Sequence, residues 1–293
     1  MLLQKLQKAR AIHPPAWLPN NTVYLTIMGS MAYGVSSDSS DMDLYGFAMP
    51  PLDMVFPHLR GEIPGFGRQI PRFEQWQEHR VQSPDSNQLY DFVVYSIVKF
   101  FHLCLENNPN LIDSLFTPRR YVVHSTPVAE IVRENRKLFL SKACHYKMRA
   151  YAHAQMSKIV NKRNPSNSRA ADIEKHGYDT KFAYHCVRLL LEAEQIMTTH
   201  DLDLERDREV LKAIRRGEWT LEHLQAWASE KERQLEDIYV RSTLRERPDE
   251  QIVKDLLLRC LEHHYGSLDK VIAKNRGNEA LLRDLELLIE KYR

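Results

Sequence analysis

Asp41 and Asp43, with one residue between them, follow a Gly29-Ser30 pair across a return of ten residues. Residues of those types at that spacing could hold a metal-bound phosphate. On a strand, side chains alternate faces, so the two carboxylates point the same way with Cα atoms about 6.5–7 Å apart. Acids that close repel each other, and a hard divalent cation with oxygen ligands relieves the repulsion. A glycine and a small hydroxyl residue at a strand end let backbone N–H groups approach a phosphate. A Ser/Asp-rich turn carrying two acids has the same composition, so the pair alone leaves both readings open.

The elements that must position these residues are legible around them. Residues 22–28 are β-branched and aromatic, which predicts a buried strand that Gly29 ends. Residues 33–40 are rich in Gly, Ser and Asp and form the return. Residues 41–48 then read as a second strand, with Met42 and Leu44 on the face opposite the acids. A later apolar stretch, residues 86–96, carries Asp91 inside a strand pattern. A buried unpaired carboxylate is costly, so Asp91 is a candidate third acid of the site, or else it marks a strand edge or a helix N-cap.

With these motifs in place, the chain resembles the nucleotidyltransferases of the DNA polymerase beta superfamily, in particular members linked with RNA repair. The resemblance rests on Gly29-Ser30-Met31-Ala32-Tyr33-Gly34, on Ser40-Asp41-Met42-Asp43-Leu44-Tyr45-Gly46-Phe47, on Lys99-Phe100-Phe101 and Asn108-Pro109-Asn110, and on Gly177-Tyr178-Asp179-Thr180-Lys181 with His185 and Arg188. These segments span the N-terminal third and one central helix. The resemblance implies an α+β fold: a small mixed-sheet catalytic head at residues 1–123, with an insertion at about 50–85, and a helical domain at 124–293. It also implies two divalent ions, Mg²⁺ or Mn²⁺, held by Asp41, Asp43 and Asp91.

Organisation agrees with that division. Up to about residue 123 short apolar strands alternate with turns, and beyond it the period is helical. Residues 50–85 are rich in Pro, Gly, Arg and aromatics and read as either a mobile flap or an ordered surface loop. Helices are expected at 95–106 and 111–116, then, after a last strand at 121–123, near 126–139, 141–162, 178–199, 205–216, 220–243, 248–265 and 267–291. The 293 residues carry a net charge of +2, which by itself implies no nucleic-acid partner. Cys104, Cys144, Cys186 and Cys260 lack Cys-x-x-Cys spacing, so neither a zinc site nor a disulfide framework is indicated and a reducing cytoplasm is the expectation. No run approaches a membrane span, and there is no P-loop or nucleophile-elbow motif.

Charge is segregated locally. Residues 135–171 hold nine Lys/Arg and no Asp or Glu. Lys158, Lys162, Arg163 and Arg169 end this run, which either follows an RNA backbone or pairs with the acidic segments downstream. In the helix after Gly177, the residues Lys181, His185, Arg188 and Glu192 fall on one stripe, and Tyr178 lies one turn before Lys181. That stripe either grips a triphosphate, with Tyr178 stacking on a base, or is an exposed charged face paired internally through Glu192. The reading that joins these parts is nucleotidyl transfer. Gly29 and Ser30 contact the β/γ oxygens, and an RNA 3′ end, tRNA-like or broken, is the expected acceptor. Two alternatives are nucleotide transfer to a protein hydroxyl and an idle nucleic-acid-binding module.

Overall fold

The structure, a computed structural model, describes residues 1–36, 41–69, 71–160 and 167–268, with the side chains of residues 167–169 and 171 outside that set. The chain enters through α1 (Leu2–Lys8) and α2 (Leu18–Asn21) into β1 (Thr22–Ile27), whose apolar residues are buried on both faces. After the glycine-rich return, β2 (Met42–Ala48) runs back antiparallel to β1, pairing Ile27 with Leu44. There follow α3 (Leu52–Val55), β3 (Gln75–Gln82) and β4 (Leu89–Ser96). Next come α4 (Ile97–Leu105), capped by the Ser96 hydroxyl, α5 (Pro109–Phe116), capped by the Asn108 carboxamide, and β5 (Val122–Ser125). The remainder is helical: α6 (Pro127–Glu134), α7 (Ala143–Val160), α8 (Asn167–His176), α9 (Thr180–Thr199), α10 (Arg208–Arg215), α11 (Leu221–Arg241) and α12 (Glu250–Tyr265).

The fold is α+β, as expected, on a five-stranded sheet of order β3-β4-β2-β1-β5. Its central pair, β2 and β4, is parallel, and the other three pairings are antiparallel. Both sheet faces are covered. Leu44, Phe92 and Val94 join Leu3, Leu6 and Ile12 in a cluster beneath α1. The opposite face, which carries Tyr24 and Phe47, packs on the helices in a larger cluster that reaches from Val23 to Cys260. Since side chains alternate along a strand, Asp43 and Asp91, the neighbours of Leu44 and Phe92, face the helical side.

Several elements were not anticipated: the short helices α1, α2 and α3, the strand β3 and the helix α8. β3 lies within residues 50–85, so the second half of that expected insertion is an edge strand of the sheet rather than a flap or loop. α8 occupies part of the stretch between Pro165 and Gly177 that the sequence reading left without an element. The helix expected at 267–291 lies outside the described residues but for its first two. Among the described residues no helix is long and apolar enough to cross a membrane, and all four cysteines are buried free thiols.

Candidate active site

Parallel pairing puts the carboxylates together. Asp43 on β2 and Asp91 on β4 are register partners, so they stand side by side on one face of the sheet, with Asp41 one pleat before β2. Burial is the main reason that the Asp43 carboxyl is held above the ordinary carboxylate range. The nearby Lys181 ammonium opposes that rise, whereas Asp91 and Asp41 add to it. A half-buried acid beside two others is unfavourable for folding alone, which makes it a candidate functional group.

Gly29 makes room for Asp43. Its φ is +66°, a left-handed conformation that glycine adopts freely, and a Cβ built there would lie 2.1 Å from Asp43 Oδ2. The turn then closes on itself through Val35 N–H to Ser30 O at 2.8 Å and Gly34 N–H to Met31 O at 3.0 Å. Neither the Gly29 nor the Ser30 amide has an acceptor among the described residues, so both donors are free for an anion. Gly29→Ala is expected to lower stability by about 1–2 kcal/mol, from the left-handed conformation alone, and activity by more than tenfold as the methyl displaces the carboxylate. Urea unfolding and a turnover assay on the same preparation check both.

Asp91 is aimed by a bulge that sequence reading missed. The register of β3 against β4 shifts between Glu78 and Val81, where Arg80 has φ +55°. This turns the Arg80 amide onto Asp91 Oδ1 at 2.6 Å and brings His79 Nδ1 to 3.7 Å from Asp91 Oδ2. Among the described residues no three His, Cys, Asp or Glu side chains converge as a finished ligand set. The chemistry of the donors nevertheless suits a hard divalent cation: Asp41, Asp43 and Asp91 offer only carboxylate oxygens, and the repulsion from Asp91 and Asp41 adds to the rise that burial gives the Asp43 carboxyl.

A cleft of about 280 Å³ opens beside Asp43 and Gly29 and is walled by Tyr45, Tyr151, Lys181 and His185, with Arg188 at its base. A larger hollow of about 780 Å³ near His102, Glu106 and Lys147 has no carboxylates in strand register, and Glu106 there is paired with both His102 and Lys147. Asp179 caps α9 by accepting from the Lys181 and Phe182 amides, which fixes Lys181 at the cleft. The α9 stripe is not the row of cations expected from sequence. His185 is driven well below the usual imidazole range by burial and by the neighbouring Arg188 and Lys181 charges, so it stays neutral. Arg188 is buried, and its Nη1 donates to Asp113 and to both oxygens of Glu192, at 2.8 and 2.9 Å. Tyr178 is also buried, and its hydroxyl donates to the Trp219 carbonyl at 2.8 Å. Its ring serves the core, which corrects the expectation that it stacks on a base.

Asp113 was not singled out from sequence because its partners are remote. Fully buried on α5, it accepts from the Tyr33 hydroxyl at 2.8 Å and from Arg188. The Arg188 guanidinium also lies 4.2 Å from the Tyr33 ring centroid. Arg188 therefore ties the 29–35 turn to α5 and α9. Glu192 is pushed up to about 8 by burial, against the pull of Arg188. Since its folded pKa exceeds the unfolded value of 4.5, the folded state binds more protons between those values, and stability falls as pH rises through that window. Glu192→Gln is expected to flatten the decline, read from urea midpoints at pH 5.5 and 8.

The basic run is mostly paired. Lys147 meets Glu106, Arg149 meets Glu232 and Glu236, and His153 meets Glu232. Such exposed pairs are weak, so they leave the RNA reading open. Lys158 stands apart, 5.2 Å over the Phe182 ring beside the cleft. Lys162 and Arg163, together with the side chain of Arg169, lie outside the described residues.

The family model for RlaP, described as the RNA repair pathway DNA polymerase beta family, matches residues 2–259. No curated protein matches the chain. Among solved structures, a nucleotidyltransferase-like protein from Exiguobacterium sibiricum aligns at 10% identity over 81% of this chain and 73% of that one. The TM-score is 0.28, and a superposition of that quality carries no weight for the site.

Proposed function

The chain belongs to the RNA repair pathway DNA polymerase beta family, and from that premise we propose that it is a metal-dependent nucleotidyltransferase. It moves a nucleoside monophosphate from a nucleoside triphosphate to an acceptor hydroxyl, with an RNA 3′ end as the acceptor. The observation that carries this reading is the in-register pairing of Asp43 with Asp91 beside the Gly29 turn.

Asp41, Asp43 and Asp91 would hold Mg²⁺ or Mn²⁺, two ions in the full site, and that metal supplies Lewis-acid polarisation of the phosphoryl oxygens and offsets developing negative charge. The amides of Gly29 and Ser30 bind β/γ oxygens, and the Lys181 ammonium lies across the cleft as a point charge for the triphosphate. Asp91, steadied by the Arg80 amide and His79, orients the acceptor hydroxyl and receives its proton. The hydroxyl oxygen bonds to the α-phosphorus, the bond to the bridging oxygen breaks, and pyrophosphate leaves. Arg188 positions the turn through Tyr33 and Asp113 instead of gripping phosphate.

The test is incubation of the purified protein with each α-labelled nucleoside triphosphate, Mg²⁺ or Mn²⁺, and RNA, DNA or cell lysate. Label in an extended RNA is the expected result. Label in a protein band transfers the assignment to protein modification, and no label under any condition overturns the enzyme. The described end of the basic run also favours RNA, since Lys158 makes no carboxylate pair among the described residues and lies over the ring of Phe182, which lines the cleft. Lys158→Glu is therefore expected to weaken RNA retention severalfold at moderate salt in a filter-binding assay, with a shallower salt slope.

A further inference from the structure

A groove of about 350 Å³ opens at the Ala48 and Ser96 ends of β2 and β4, away from the Asp43–Asp91 pair at their starts. Its walls are α3, the start of α4 and the end of α12, through Met54, Val55, Ile97, Val98, Leu261 and Tyr265. Although α4 buries Ile97, Phe100, Phe101 and Cys104 in the core, Val98 is 56% exposed. Leu52 and Phe56, which flank Met54 and Val55 in sequence, are exposed as well. Single apolar residues at a surface are ordinary, but several gathered around a concave opening mark an interaction surface.

The chain itself supplies a cover for it. The last residue of α12, Tyr265, lines the groove and donates its hydroxyl to the Pro50 carbonyl, so the chain leaves α12 at the mouth of the opening. Residues 269–293 follow, outside the described residues, and their sequence is amphipathic. Leu281, Leu282, Leu285, Leu288, Ile289 and Tyr292 fall at i, i+1, i+4, i+7, i+8 and i+11, one stripe of a helix. Arg283, Asp284, Glu286, Glu290 and Lys291 take the rest of the circumference, with Leu287 among them. A helix of about a dozen residues is marginal in water unless that stripe finds a surface. Asn275, Gly277 and Asn278 provide a turn ahead of it. Residues 269–280 reach about 40 Å when extended, ample for a groove that Tyr265 itself lines.

We propose that the groove between α3, α4 and α12 is the seat of the chain's own C-terminal segment, residues 281–292 lying in it as a helix with the leucine stripe turned onto Val98. Both surfaces are apolar, and each is left in water without the other. Connectivity favours this occupant over a separate molecule, since a tethered segment acts at an effective concentration of about millimolar. The segment lies beyond residues 2–259, which the family model matches. It therefore adds to the shared head a strap that holds the end of α12 against α3 and α4, remote from the carboxylates and independent of the transfer chemistry.

The full-length chain tests this when it carries the photo-crosslinking residue p-benzoylphenylalanine at Val98 or, as a control, at Val240, 78% exposed on α11 outside the groove. It is irradiated in the expressing cells and, after purification, as a mixture of light- and heavy-nitrogen chains, then digested and read by mass spectrometry. Cross-links from position 98 are expected to fall within residues 281–293 of the same chain, at a yield about tenfold above those from position 240. Leu285→Asp with Leu288→Asp is expected to reduce that yield about tenfold, and Leu285→Met to keep it, with circular dichroism melts confirming that each variant is folded. Cross-links between chains of unlike label assign the groove to a second copy, and cross-links to another protein assign it to a partner. Either result overturns the proposal, as does the absence of cross-links to 281–293 or a yield that survives the double aspartate change.

Discussion

Asp43→Asn is expected to reduce nucleotidyl transfer by at least about a thousandfold while leaving the protein folded. A thousandfold is about 4 kcal/mol of barrier, in keeping with the several kcal/mol a bound metal contributes to charge stabilisation at a phosphoryl centre. The substitution keeps shape and removes charge. Folding should not suffer, since Asp43 is half-buried, its pKa is raised by burial, and Asp91 and Asp41 repel it. Melting temperature is therefore expected to hold or rise slightly, as it does when a strained catalytic group is neutralised. Asp91→Asn tests the partner across the register and should also abolish turnover, although the Arg80 amide still finds an acceptor in the carboxamide oxygen. Single-turnover assays with labelled triphosphate, paired with thermal melts, read both quantities. A fully active Asp43→Asn protein would remove the assignment.

The elements that carry the acids were readable because their patterns are local. β1 is β-branched and aromatic, β2 carries Leu44, Tyr45 and Phe47 between its acid and its end, and Gly29 marks the end of β1 by its conformational freedom. Asp91 could be noticed because an acid inside an apolar run needs a reason. β3 escaped notice for two physical reasons. As an edge strand it is charged and largely exposed, the composition that discourages pairing with other chains. Its half-buried or buried side chains include Trp76 and Val81, an odd spacing produced by the bulge at Arg80, so the two-residue period is broken. The one usable signal was the alternation of Trp76 and Glu78 ahead of that break. The α9 stripe misled in the opposite way. Periodicity grouped Lys181 with Arg188 and Glu192 correctly on the helix, but the acid that buries Arg188 lies 75 residues away, and no local pattern reports such a partner.

That remote acid makes Arg188 the residue whose loss should hurt the fold most. Arg188→Ala removes the guanidinium from Asp113 and Glu192 and from the face of the Tyr33 ring, leaving two buried carboxyl groups without their cation. Breaking a buried ion pair from one side costs about 3–5 kcal/mol, a large share of the ordinary 5–15 kcal/mol of total stability. The site is already imperfectly satisfied, since Arg188 Nε and Asp113 Oδ1 are buried without partners among the described residues. Replacing the whole ionic set by neutral groups should therefore recover much of the loss, and the variant Arg188→Met with Asp113→Asn and Glu192→Gln is expected to unfold near the wild-type urea midpoint. This variant also decides what Arg188 does. If it acts by holding the turn through Tyr33 and Asp113, the refitted protein binds triphosphate within a few-fold of wild type, because Lys181 and the Gly29 and Ser30 amides are untouched. A guanidinium that grips the phosphates itself would make binding fall as far as it does in Lys181→Ala, even with the fold restored. Urea unfolding followed by triphosphate titration of the two proteins separates these outcomes, and the near-wild-type affinity is the expected one.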